Sequence, residues 1–113
     1  MSKDFARFDL EAEIRDSESL KPWSSAKHSK TLVKNDDLRV VLFTMESGAT
    51  LKEHHADGSI TVQVLRGKIR FRGQDHDYSL RTGEMFTLGP SIRHAVESVG
   101  DSAFLLTISW PSP

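Results

Sequence analysis

Cysteine is absent from the sequence, which excludes disulfides, thiolate metal ligands and a cysteine nucleophile together. Any metal ion would have to rest on imidazole, carboxylate, amide or water. No apolar run approaches the length needed to span a bilayer, and the opening Met1-Ser-Lys-Asp-Phe5 lacks the apolar core of a secretory signal. The resulting expectation is a cytoplasmic protein that does not engage membranes. Charge of one sign is also missing: 15 basic and 16 acidic residues are well mixed and leave a net charge of −1. That balance offers no electrostatic footprint for nucleic acid or an anionic membrane. There is no Gly-x-Ser-x-Gly elbow, phosphate loop, dinucleotide fingerprint, internal repeat or low-complexity segment. What is present is an ordinary globular composition, 37% hydrophobic and 27% charged, in 113 residues, enough for one core and one domain.

Residues 1–26 are polar and charged, with Phe5, Phe8, Leu10, Ile14, Leu20 and Trp23 at irregular spacing. They read as an N-terminal arm in which Asp9 caps a short helix over Glu11–Asp16, or as an ordered tail held across the surface by Trp23. From Lys27 onward the hydrophobic period is two. Strands are expected at Lys27–Lys34, Leu38–Met45, Ser59–Leu65, Lys68–Arg72, His76–Leu80, Glu84–Leu88, Ile92–Ser98 and Ser102–Trp110, separated by turns rich in Gly, Asn and Asp. Lys68–Arg72 and His76–Leu80 form a hairpin in this reading. Eight short strands at regular spacing are the pattern of an all-β sandwich or barrel over residues 27–113.

Two glycine-led strand patterns each end near a histidine, His54 and His94. Gly48 leads the first, with His54 after five intervening residues, and Gly67 closes it. Gly83 leads the second, which runs through Gly89, Pro90 and Ser91 to His94. On these residues the chain resembles the cupin superfamily, in the RmlC-like form. The resemblance covers residues 27–110 and implies a double-stranded β-helix, or jelly-roll barrel. Laid on the family pattern, the second histidine position of the first motif falls on Ala56 and its glutamate position on Ile60. In the second motif the proline position is Gly89, the glycine position Ser91 and the asparagine position Ser98.

The resemblance implies a divalent metal ion, such as Zn, Ni, Fe or Mn, at the barrel centre, with His54 and His94 at ligand positions. Imidazole nitrogens suit these borderline ions, and a third ligand is needed for firm binding. His55 supplies it if Glu53–Gly58 is a loop or bulge that turns both neighbouring rings inward. Gln63 and Glu97 alternate away from Ile60 and His94 and are set aside. The alternative is that His54 and His94 are neutral interior histidines satisfied by hydrogen bonds and a bound ligand. In that case the chain is a non-catalytic module or sensor that binds a small molecule in a barrel lined by Ile60, Val62, Val64, Phe71 and Phe86. His28 and His76 read as solvated surface residues, and Arg66, Arg70 and Arg72 as solvated or interface charge. Thr61, Gln63 and Leu65, with the apolar strand Phe104–Trp110, leave an outer face that favours a homodimer unless something caps it.

Overall fold

The period-two pattern becomes two stacked antiparallel sheets. The computed structural model describes residues 5–54, 57–73 and 75–110, with the backbone alone at Glu53 and His54. Among them are one α-helix, α1 (Leu10–Glu18), a single 3-10 turn at Ser24–Ala26, and nine strands. The strands are β1 (Lys27–Lys34), β2 (Leu38–Met45), β3 (Thr50–His54), β4 (Ser59–Arg66), β5 (Lys68–Arg72), β6 (Asp77–Arg81), β7 (Met85–Leu88), β8 (His94–Ser98) and β9 (Ser102–Ser109). One sheet has five strands in the order β1-β2-β9-β4-β7, the other four in the order β3-β8-β5-β6. The strand crossovers match the expected jelly roll.

The core lies between the sheets. Ile60, Val62 and Val64 alternate inward from β4, Phe104 and Leu106 from β9, and Ile69, Phe71 and Val96 face them from the four-stranded sheet. Val62, Ile69 and Phe104 are completely buried, and each such side chain contributes roughly 1.5–3 kcal/mol through the apolar surface it removes from water. Gly67 makes the turn between β4 and β5 at φ +77°, and a Cβ there would sit 2.2 Å from the Asp101 carbonyl oxygen. Both the left-handed backbone and the close approach require glycine.

The helix expected over Glu11–Asp16 extends over Leu10–Glu18. Asp9 caps it by accepting from the Ala12 N–H at 3.1 Å, and Glu11 and Glu13 complement the positive helix end. α1 lies on the outer face of the five-stranded sheet, where Ile14, only 1% exposed, joins Leu42 and Ala103 with Leu32, Leu65 and Leu105 around them. Leu65 and Leu105 belong to the face on which the expectation of a homodimer rested, and the chain's own helix is their cap. Glu13 pairs with Lys30 at 2.6 Å and Glu11 with Arg66, which tie the helix to β1 and β4.

His28 departs from its reading as a solvated residue. Its ring stacks on Trp23 with centroids 6.3 Å apart, and Nδ1 lies 2.9 Å from the Ser17 hydroxyl. Ser17 also bonds Thr44, and Thr44 donates to the His28 carbonyl at 3.4 Å. Because that carbonyl can only accept, the protons run one way round: Nδ1–H to Ser17, Ser17 to Thr44, Thr44 to His28. Ser17 and Thr44 are buried, so the ring of bonds satisfies polar groups that would otherwise be costly beneath the helix. Trp23 closes it from above by donating Nε1–H to the Ser17 carbonyl at 2.9 Å. The alternation Lys-His-Ser-Lys in β1 carries no sign of this cover. His76, by contrast, is exposed as expected.

The remaining differences lie at strand ends. β3 is a ninth strand missing from the expected eight, because Thr-Leu-Lys-Glu-His holds one apolar residue and shows no period. β6 starts at Asp77, β7 at Met85 and β8 at His94 rather than one or two residues earlier. At β7 the reason is visible: the Glu84 carboxylate accepts from the Arg81 N–H at 2.8 Å, which makes Glu84 part of the turn.

Candidate functional site

His94 opens β8 on the inner face of the four-stranded sheet and is 1% exposed. Its Nδ1 lies 3.0 Å from the Ile92 carbonyl oxygen. A carbonyl only accepts, so a proton sits on Nδ1, and Nε2 lies inside the protein. This is the arrangement in which metal-ligating histidines are ordinarily held, the non-ligating nitrogen donating to a backbone carbonyl that fixes the ring. Phe71 stacks on the imidazole at 5.6 Å and 25°, and Phe71 meets Phe86 at 4.4 Å. Ile60, Val62 and Val64 build the opposite wall, each at most 2% exposed. The five residues expected to line the barrel therefore pack in its core cluster, with Phe86 partly buried at its edge.

His54 is placed by register. β3 pairs with β8 so that Leu51 faces Val96 and His54 faces His94. Three residues on β3 thus span two on β8, a bulge of one residue. The irregularity expected around Glu53–Gly58 begins earlier, between Leu51 and His54. His55 lies outside the described residues. Among the described residues no group of three or more His, Asp or Glu side chains is gathered closely enough to hold a metal ion.

Two departures from the family pattern have visible consequences. Ser91, at a glycine position, keeps the left-handed backbone at φ 65°, so the residue changed while the turn geometry stayed. Ser98, at the asparagine position, is 1% exposed and donates to the Gly100 carbonyl, while its oxygen accepts from Ser102 at 2.6 Å. It clamps the turn between β8 and β9.

Sequence reasoning passed over Tyr78, whose ring lies 6.5 Å from Phe71 and is flanked by His76 at 5.9 Å. The signal was present in the expected hairpin, whose register sets Tyr78 opposite Phe71. Although it occupies an inward position, Tyr78 is 55% exposed. The rings thus run from buried His94 through Phe71 to the surface. Gln63 is exposed, and Glu97 pairs with Arg70 and Arg72 on the outside of its sheet; both lie away from His94, as alternation required.

A family model described as the cupin domain matches residues 41–110. The chain belongs to the cupin family. Among solved structures, this cupin is similar to a conserved Streptococcus pyogenes protein of unknown function, with 24% identity over 80% of each chain and a TM-score of 0.74. A cupin superfamily protein of Desulfitobacterium hafniense is 17% identical over 84% of this chain and 87% of its own, with a TM-score of 0.76. A cupin 2 conserved barrel domain protein of Leptotrichia buccalis is 26% identical over 83% of this chain and 46% of its own, with a TM-score of 0.74. No curated protein matches the sequence.

Proposed function

We propose that this cupin binds a divalent metal ion inside its barrel through His54, His55 and His94. The observation that carries the reading is His94 itself, a fully buried imidazole on the inner face of β8 whose Nδ1–H is donated to the Ile92 carbonyl, which turns Nε2 to the interior. The register of His54 opposite His94 supports it, as does a donor set without thiolates, which suits Zn, Ni, Fe or Mn. A bound ion of this kind polarises a ligand oxygen as a Lewis acid. The protein's own residues orient the imidazole through the Ile92 carbonyl, shield it with Phe71, and keep the opposite wall apolar through Ile60, Val62 and Val64. The ligand class that follows is a small organic molecule.

The test is thermal melting of untagged protein with added Zn, Ni, Mn or Fe(II). At about a hundredfold excess over Kd, binding to the native state adds about 2.7 kcal/mol. For a domain of this size that raises Tm by about 10 °C. His94→Ala should lose the shift while its circular dichroism remains that of a β barrel, and an equal shift in wild type and variant would discard the site.

One observation favours a second reading, a ligand-binding cupin without metal. Ile60, at the family's glutamate position, is 2% exposed and packed in the core, so the carboxylate that would help neutralise a cation is replaced by apolar wall. Under this reading metals leave Tm unchanged, and a small organic acid or aromatic compound raises it in wild type.

A further inference from the structure

The outer face of the four-stranded sheet carries cations in register. β5 turns Lys68, Arg70 and Arg72 outward while Ile69 and Phe71 enter the core. Its ladder with β6 sets Arg81 opposite Lys68 and Asp77 opposite Arg72. On the other side, β8 offers Ala95 and Glu97 outward, and β3 beyond it Thr50 and Lys52. Among the described side chains, five cations thus share this face with the two carboxylates Asp77 and Glu97, on a chain whose net charge is −1. Glu97 is shared, accepting from Arg70 at 3.2 Å and Arg72 at 3.4 Å. Lys68 and Arg81 are like charges set directly against each other, an arrangement that destabilises an antiparallel ladder. A local arrangement that works against stability in an otherwise consistent sheet marks a place where function sets the residue.

The single α-helix among the described residues lies on the other sheet, and Lys68, Arg72 and Arg81 are exposed. Where Ala95 leaves the face low, a groove of about 240 Å³ opens between Lys52, Thr50, Arg72 and Glu97. The geometry points to an interaction surface for an extended acidic segment of a protein partner. Outward side chains on a strand recur at about 6.8 Å, twice the rise per residue. A peptide with carboxylates at alternate positions presents its charges at the repeat of Lys68, Arg70 and Arg72, and the groove over Ala95 accepts one such side chain. Nucleic acid fits less well. Among the described residues this face has no aromatic side chain on which a base could stack, and Asp77 and Glu97 interrupt any track for phosphates.

The probe is a fluorescein-labelled peptide of alternating glutamate and serine, followed by fluorescence anisotropy with the full chain. Affinity should fall by about tenfold from low to physiological ionic strength, as screening of exposed charges dictates. The double variant Lys68→Glu/Arg72→Glu should lose about tenfold or more at low salt, whereas Lys34→Glu, on the other sheet, should stay within about twofold. Equal loss in Lys34→Glu, or tighter binding of single-stranded DNA than of the peptide, would overturn the proposal. A second measurement guards against a merely structural role: Arg81→Ser should raise Tm by about 2 °C through relief of the opposed charges while weakening the peptide. A lowered Tm would show that Arg81 stabilises the sheet and would remove the ground for an acidic partner there.

Discussion

Over its central strands the five-stranded sheet is closed on both faces, with Val62 and Phe104 inside and Leu42 and Ala103 under α1 outside. The four-stranded sheet buries only its inner face, and that face holds His94 among Phe71 and Val96, while its outer face is ionic. The first is a scaffold whose polar ring beneath the helix is satisfied. The second carries the buried imidazole and the opposed cations, the two features that packing alone does not explain. Under the proposed function, the chemistry of this barrel is concentrated on one wall, which the other wall and the helix hold in place.

Substitutions on the scaffold side should therefore cost stability and leave ligand binding intact. The largest effect is expected at Ile14→Ala, which removes a side chain 1% exposed from the contact between α1 and the sheet. A loss of about 2–4 kcal/mol in chemical denaturation is predicted, and a loss under 0.5 kcal/mol would mean that the helix is not a structural cover. Next is His28→Ala, which removes the imidazole from the hydrogen-bond ring and leaves buried Ser17 a partner short. A cost of about 1–3 kcal/mol is predicted there, against little or none for exposed His76→Ala, so equal effects would contradict the description of His28. The smallest effect concerns Lys30, whose pKa is raised above the ordinary 10.5 by its hydrogen bond to Glu13, opposed by partial desolvation. A raised lysine pKa stabilises fully below the unfolded value and loses its contribution as pH rises through the folded value. Wild type should thus lose its small advantage over Lys30→Met only above about pH 10.5, and an advantage that vanished on acidification through neutral pH would have the wrong sign.

Much of this division was legible in the sequence where one face of a strand is buried. β1, β2 and β5 have the expected ends because clean alternation meets a turn signal, and Gly48, Gly67 and Gly83 all have the positive φ their motif positions demand. The register-dependent parts were not legible. A single extra residue between Leu51 and His54 sets the register that pairs His54 with His94, and no local preference in Leu-Lys-Glu-His announces it. His28 was misread for a different reason, since whether a polar strand face meets water or a helix is decided by residues five and eleven positions away, at Trp23 and Ser17. The candidate ligand set stands between these cases: His94 is placed by its strand, His54 by a bulge, and His55 falls outside the described residues.

The most direct test of a scaffold wall and a chemical wall is the metal content per chain of untagged protein purified without chelator, for wild type, Ile14→Ala and His94→Ala side by side. The account predicts stoichiometric metal in wild type and in Ile14→Ala, and none in a His94→Ala barrel that remains folded; equal metal in wild type and His94→Ala would contradict it.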